Sequence, residues 1–265
     1  MKGDSFGKFL ANVGKITLET ADNRKVIINK NFIQTIAIRI IGIPHIGLRL
    51  RMSCIANLLD PKTGEKILDA GCGPGLYTLY MARNGTDMYG ADLSREKIES
   101  AKRISRKLNI DINFSTISIK QLSYEDEMFD KLVCSEVLEH VDDDMQAMRE
   151  LTRVLKSNGC FILSVPADNL FNKRNMERFG HVRAGYSIDE IKGLAKTFNM
   201  KIIKIVNIMS FFGKLAWNIN HMLFFSKVLT VIFFWPLYCL TLLDQLLGIN
   251  VKPINYIVKF QKNKF

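Results

Sequence analysis

From Ile67 onward, short apolar runs alternate with longer stretches whose apolar residues recur at helical spacing. "KILDA" (66–70) predicts a short buried strand, and "LYTLYMARNG" (76–85) a helix closed by Gly85. "DMYGAD" (87–92) predicts a second strand. Residues 94–108 then predict a helix with Ser94 as N-cap and Ile98, Ala101, Ile104 and Leu108 on one face. "DINFSTI" (111–117) and "FDKLVCS" (129–135) predict a third and a fourth strand. A helix over 143–156 would turn Met145, Met148, Leu151 and Leu155 inward and end at Asn158–Gly159. "CFILSV" (160–165) predicts a fifth strand. Ser187 and Glu190 form a capping box at the head of a helix over 187–198, which leads into strands at 200–208 and 255–261. Upstream, 14–29 read as a hairpin. Residues 32–61 read as mostly helical, broken near Gly42 and Pro44 and stopped by Pro61. Strand–helix alternation with short connections means an α/β doubly wound sheet, mostly parallel and covered on both faces.

Composition adds little to the fold, but charge adds to the function. The 265 residues are 48% hydrophobic, enough for a substantial core, and carry a net charge of +11. Residues 1–66 hold 11 basic and 5 acidic groups, 67–199 hold 18 and 20, and 200–265 hold 8 and 1. The excess therefore sits in the flanks. It fits a nucleic-acid enzyme, a protein resting on an anionic membrane, or plain solubility. The 5 cysteines show no C-x-x-C pair, which argues against a disulfide frame or structural zinc and points to a reducing cytoplasm. No secretory signal is evident at the N-terminus.

The strand ending at Asp69 runs into Gly71, Gly73 and Gly75 and then a helix. Residues without Cβ bring bare backbone to a ligand at the carboxyl edge of the sheet. About twenty residues on, Asp92 ends the second strand, where a carboxylate can accept from both hydroxyls of a ribose. The dinucleotide spacing G-x-G-x-x-G would need glycine at 76, and Leu76 is there.

"ILDAGCGPG", "YGADLS", "FDKLVCSEVLEHV" and "LTRVLKSNGCFILSVP", in that order, resemble the successive motifs of the S-adenosylmethionine-dependent methyltransferases with a Rossmann-like seven-stranded sheet. The resemblance covers residues 67–165, with a weaker extension to the last strands. It implies strand order 3-2-1-4-5-7-6 with one antiparallel strand, and S-adenosyl-L-methionine as cofactor. Asp69, Gly71, Cys72 and Gly73 would line the methionine end, with Gly75 shaping the turn. Asp92 would take the ribose and Leu93 pack on the adenine. Ser118–Ile119 stand where relatives place an acid and an alanine against the adenine amino group. Cys134, Ser135 and Glu136 would face the sulfonium.

A protonated oxygen or nitrogen nucleophile calls for a base, and Glu136, His140 and His181 are the candidates. The set also resembles the ubiquinone-pathway O-methyltransferases, which implies a divalent cation on Glu136, Glu139 and His140. The preferred reading holds no metal, and a purely structural helix-start loop remains open. "FGHVRAGYS" (179–187) is similar to strings in methyltransferases encoded with glycan and lipid-carrier genes, so Arg183 and Tyr186 are candidates for substrate contact. The alternative is a loop pinned by Arg183 to neighbouring acids.

Between the last two strands the family has a short hairpin, whereas this chain has an apolar insertion, 211–253. Its longest uncharged run, 228–243, falls short of the ~20 residues that a spanning helix needs. It also contains Trp235–Pro236. Interfacial helices against an anionic membrane, a lid and a homodimer contact are all open. Lys201, Lys204, Lys214, Lys227, Lys252 and Lys259, and upstream Arg39, Arg49 and Arg51, supply positive charge. The expected organisation is 1–60 as an N-terminal segment, 61–210 with 254–265 as the catalytic domain, and the insertion. The expected function is methyl transfer, at oxygen, to a hydrophobic or lipid-linked small molecule by a cytoplasmic protein peripheral to the membrane. A soluble natural-product or sugar methyltransferase is the alternative. Nucleic acid is disfavoured, because "CSEVLEHV" replaces the loop that grips a flipped base.

Overall fold

A computed structural model describes residues 46–223, 227–247 and 251–264. The predicted hairpin at 14–29, the stretch before Ile46 and Arg39 lie outside the described residues. Contacts divide the chain into two units. One comprises 51–208 and 252–265, and the other takes in 209–251 and residues up to 50. The boundary therefore falls at 50 rather than 60, within helix α1 (Ile46–Leu59). The reason is packing. Met52, Ile55 and Leu59 are buried, and Lys259 Nζ donates to the Leu58 carbonyl at 2.7 Å.

The larger unit is a seven-stranded sheet. Its strands are β1 (Lys66–Ala70), β2 (Asp87–Asp92), β3 (Asn113–Thr116), β4 (Phe129–Ser135), β5 (Leu155–Pro166), β6 (Met200–Ile208) and β7 (Asn255–Lys262). The order β3-β2-β1-β4-β5-β7-β6 is the expected one, and β7 alone runs antiparallel to its neighbours. β1 buries every side chain after Lys66 and β4 has none exposed, as strands covered on both faces should. Helices α2 (Leu76–Ala82), α3 (Arg95–Leu108), α4 (Asp144–Val154), α5 (Leu170–Phe179) and α6 (Ile188–Thr197) belong to the same unit.

Helix starts follow side-chain chemistry. Ser94 accepts from the Lys97 amide and Asp143 from Gln146, while Ser187 and Glu190 close the predicted capping box. Two expectations need correction around α4. Met145 is 40% exposed, because the helix starts at Asp144 and its first turn faces solvent. Leu155 is buried but opens β5, which is much longer than 160–165. α5 was not anticipated. Its signals were Asn169, whose side chain caps Asn172, and Gly180, whose left-handed backbone (φ 66°) ends it.

At the outer edge Ile208 pairs with Asn255, so the chain leaves β6 and re-enters β7 at the carboxyl edge of the sheet. The second unit holds α7 (Phe211–Met222) and α8 (Lys227–Leu246), packed on each other. Asp244 is the sole acid after residue 199, and its two oxygens accept from the Phe212 and Gly213 amides at 2.8 Å each. A Cβ at Gly213 would meet Met209 at 2.6 Å and Asp244 at 3.0 Å, so that approach depends on glycine. Ala216, Phe234 and Leu237 are buried, and the Arg49 guanidinium stands 5.0 Å from the Phe234 ring and 5.5 Å from that of Trp235. Phe211, Leu215, Ile232, Phe233, Trp235 and Leu246 are exposed. Pro236 lies inside α8. Among the described residues no helix is long and apolar enough to cross a membrane.

Candidate active site

The carboxyl ends of β1 and β2 build one half of the site. Asp69 sits beside Gly90 in the β1–β2 register, and the Gly71 and Cys72 amides donate to the Ala91 carbonyl at 2.7 and 2.9 Å. The three loop glycines all have positive φ but serve different ends. A Cβ at Gly71 would meet Val137 at 2.2 Å, and one at Gly75 would meet Ala101 and Phe114 at 3.0 Å. At Gly73 nothing lies within 4 Å. Two glycines therefore allow protein to close on protein, and the third leaves a bare cradle. Gly90, not anticipated, lets Phe114 and Cys72 cross β2, since its Cβ would stand 2.6 and 3.1 Å from them.

Asp69 is buried, with Thr78 Oγ1 donating to its Oδ2 at 2.6 Å. Burial raises its pKa to about 6, against the lowering effect of the Thr78 bond. Asp92 is already engaged by the protein. Its Oδ2 already accepts from the Gly73 amide and its Oδ1 from Ser94, both at 2.8 Å, because the loop folds back over the strand end. A carboxylate offers about four acceptor sites, so each oxygen keeps one for a ligand. Leu93 is 76% exposed beside it. The Ser118 hydroxyl accepts from the Lys120 amide at 3.2 Å. Ile119 was expected to line the ligand, but its side chain is buried in the core beside Leu122.

The end of β4 builds the other half. Cys134 is fully buried, its thiol pushed well up by that burial, and Cys72 is buried too. Glu136 takes a left-handed backbone (φ 56°), and its amide donates to the Ser164 carbonyl at 2.9 Å. Its carboxylate accepts from Ser164 Oγ at 2.9 Å and from Asn255 Nδ2 at 2.9 and 2.8 Å, and Arg51 Nη1 stands 3.6 Å away. Arg51 thus lies within the sheet unit, not on an apolar surface as the sequence allowed. Its Nε, the Tyr77 hydroxyl and the Ser135 hydroxyl are buried beside one another, Tyr77 between the other two, but none reaches hydrogen-bond geometry among the described residues, and neither carboxyl oxygen of Glu139 has a partner there. Such groups are rare and call for a ligand, an ion or water.

Glu139 and His140 occupy a short 3₁₀ turn, Leu138–His140. The Glu139 carboxyl is fully buried, and burial, reinforced by the Glu136 charge, pushes its pKa well up. The Val182 and Arg183 amides donate to its backbone carbonyl, which ties the loop after α5 to this turn. His140 Nδ1 lies 2.9 Å from the Gly180 carbonyl. A carbonyl only accepts, so Nδ1 carries the hydrogen and neutral His140 keeps a lone pair on Nε2. The His181 ring meets that of His140 edge to face at 4.8 Å, and burial, then His140, lowers its pKa.

Arg183 and Tyr186 are drawn into the loop itself, the arrangement that the sequence held open as the alternative to substrate contact. Tyr186 is 1% exposed and donates to Asp144 Oδ2 at 2.9 Å. Arg183 lies 3.8 Å over the Tyr186 ring and pairs with Asp144 and Glu190. The sequence missed Tyr77, Thr78 and Asn255. They stand on two separate elements, α2 and β7, and no local spacing marks them.

Residues 68–163 match the family model described as a methyltransferase domain. The chain is 34% identical over 116 residues to the ubiquinone biosynthesis O-methyltransferase of Alkalilimnicola ehrlichii, covering 43% of this chain and 47% of that protein. Its counterpart in Pasteurella multocida is 33% identical over 125 residues, covering 43% and 52%. The chain thus spans about half the length of the curated relatives it matches. Phosphoethanolamine N-methyltransferase 2 of Haemonchus contortus, solved with S-adenosyl-L-methionine, superposes with a TM-score of 0.64 at 16% identity, over 93% of this chain and 60% of that one. At that identity the likeness shows the fold alone.

Proposed function

The chain carries a class I methyltransferase domain of the S-adenosylmethionine-dependent kind, and from that premise we propose that it methylates an oxygen of a hydrophobic, quinone-type acceptor. The observation that carries this reading is the pairing of a bare cradle at Gly73 with buried, unpartnered polar groups at Arg51, Tyr77 and Ser135. S-Adenosylmethionine supplies a methyl already activated on a sulfonium. The protein's share is alignment. Asp92 would accept the ribose hydroxyls on its remaining lone pairs, and Leu93 would offer its apolar face to the adenine. Ser118, its hydroxyl already engaged, can still meet the adenine edge through a second lone pair or a backbone group. Arg51, Tyr77 and Ser135 supply donors suited to the charged amino-acid end, and Asp69 an acceptor. Glu136, held by Asn255 and Ser164, braces Arg51. The Nε2 lone pair of His140 is available for the acceptor's hydroxyl proton.

For the acceptor's source we read the second unit as a contact with an anionic membrane surface. Its exposed Phe211, Phe233 and Trp235 stand on helices that carry lysines, and Asp244, the one acid of residues 209–251, is turned inward to hold the start of α7. Lys259 is not part of that surface, since it is spent on Leu58.

The test uses the full chain with methyl-labelled S-adenosylmethionine and catechols bearing either a long isoprenoid or a short alkyl tail, with and without phosphatidylglycerol vesicles. Label should appear on oxygen, favour the long tail and increase with vesicles. Ile232→Glu with Phe233→Glu should abolish flotation and leave cofactor affinity unchanged. No transfer to either catechol would overturn the acceptor class. Transfer indifferent to tail and vesicles would overturn the membrane reading alone.

A further inference from the structure

We propose that Asn255, the first residue of β7, is a positioning residue for the amino-acid end of the cofactor, acting through Glu136 on the Arg51 guanidinium. The inference rests on the methyltransferase reading for its ligand and extends it to a residue that acts at one remove. The chain of contacts itself rests on geometry. Asn255 is buried, and its Nδ2 donates to Glu136 Oε1 at 2.9 Å and to Oε2 at 2.8 Å. An ionised carboxylate only accepts, so the nitrogen of the carboxamide, not its oxygen, must face Glu136. Bonds of this kind, to a charged acceptor, are roughly twice as strong as those between neutral groups.

Glu136 is held from a second side as well. Ser164 Oγ donates to its Oε1, and the Ser164 carbonyl accepts from its amide. Its backbone is left-handed, a conformation that a residue with a Cβ keeps only where its surroundings impose it. The fold therefore fixes this carboxylate at some cost in strain. What the carboxylate faces is Arg51, whose Nη1 stands 3.6 Å from Oε2. Burial works against the Arg51 charge, and among the groups that favour that charge Glu136 is the strongest. Glu136 is thus a brace, and its oxygens are taken up by protein rather than offered to the acceptor.

Asn255 is in turn fixed by two further asparagines. Its backbone pairs with Pro166 in β5 and with Ile208 in β6. Just before it, Asn169 Nδ2 donates to the Pro253 carbonyl at 2.6 Å, and Asn172 Nδ2 to the carbonyls of Ile254 and Ala167 at 2.8 and 2.7 Å. The Ala167 amide closes the set on the Ile254 carbonyl at 2.8 Å. Both side chains are buried, and a buried carboxamide is costly unless its bonds are made. The chain comes to β7 straight from the apolar insertion, and these bonds clamp its last two residues before the strand to the sheet unit. The guanidinium is held in advance, so binding an α-carboxylate needs no reordering of that side chain.

The test is calorimetry on the full chain with S-adenosylhomocysteine and with methylthioadenosine, which shares the adenosine and lacks the amino-acid end. Asn255→Ala should weaken S-adenosylhomocysteine ~10-fold or more, the scale of one hydrogen bond to a charged group. Methylthioadenosine should change by less than ~2-fold, as for an independent site. Asn255→Asp, nearly the same size as the parent residue, should weaken S-adenosylhomocysteine more than alanine does, because it sets carboxylate against carboxylate. A packing role alone would make it the milder of the two. In an Arg51→Ala background, Asn255→Ala should cost less than ~2-fold further, since the group it acts through is gone. Equal loss of both ligands in the variants overturns the proposal and leaves the methyltransferase reading standing. So does an effect of Asn255→Ala undiminished without Arg51. A parent chain that binds neither ligand overturns both.

Discussion

The two halves of the cleft are built on opposite principles. At the ends of β1 and β2, the working surface is backbone. Gly71, Gly73 and Gly75 strip it bare, and Asp92 pins the Gly73 amide across a short stretch of chain. At the end of β4 the working surface is side chain, gathered from α1, α2, the turn after β4, the loop after α5, and β7. The first half tolerates almost no change of residue type at fixed positions. The second can exchange one ligand or base for another without disturbing the sheet.

The sharpest way to break the comparison lies inside the glycine loop. Alanine at 71 suffers both a left-handed backbone, ~1–2 kcal/mol, and a clash with Val137 across the cleft, ~1–3 kcal/mol. Alanine at 73 suffers only the first. Gly71→Ala should therefore lower unfolding free energy by about 2–5 kcal/mol, and Gly73→Ala by about 1–2, in urea melts. Cofactor affinity by calorimetry should nevertheless fall ~10-fold or more in Gly73→Ala, the loss of one ~1.4 kcal/mol increment. Equal destabilisation by the two would mean that Val137 yields freely and that the cradle is not special.

Next in size is a pH effect confined to the backbone half. Burial holds the Asp69 pKa at about 6 in the fold, above its ordinary 3.8. The folded chain therefore binds this proton more tightly than the unfolded one. Its contribution is fully present below pH ~4 and is lost as pH rises through ~6, an amount of about 3 kcal/mol at most. Asp69→Asn should remove that slope, so that variant and parent match near pH 4 and the variant is the more stable at pH 7 without cofactor. Parallel pH–stability curves for the two would refute the assignment.

The same contrast explains what the sequence disclosed. Element positions, the capping box and the cofactor loop depend on contacts between near neighbours or on fixed spacing, and "ILDAGCGPG" with Asp92 carries the loop almost whole, whereas the strand order was implied only by the family resemblance. Asp92 was legible as a ligand residue, but its prior engagement with Gly73 was not, since that depends on how the loop folds back. Ile119 was placed against the ligand by the resemblance and is buried instead, and Met145, expected inside, is exposed. Apolar type predicts burial only on average, and register at a helix start or strand exit decides the single residue. Arg51, Asn255 and His181 meet Glu136 and Glu139 only through the fold, so nothing in their local sequence could pair them. In α5 the caps Asn169 and Gly180 were present to be read, but its low apolar content hid the period.

The smallest expected effect separates pinning from recognition in the side-chain half. If Arg183 only fastens its loop, its loss removes partly exposed ion pairs to Asp144 and Glu190, worth ~0.2–1 kcal/mol each, and a contact over Tyr186 of ~0.5–1. Arg183→Ala should then lower stability by about 1 kcal/mol and speed proteolysis of residues 180–187, with KM for the acceptor changed by less than ~3-fold. Arg183→Lys should recover part of the stability, since the charge remains and the planar stack does not. A large rise in KM with unchanged stability would mean that Arg183 leaves Asp144 and Glu190 to meet the acceptor. The loop after α5 would then belong to recognition, although in the unliganded fold it is tied down by its own acids.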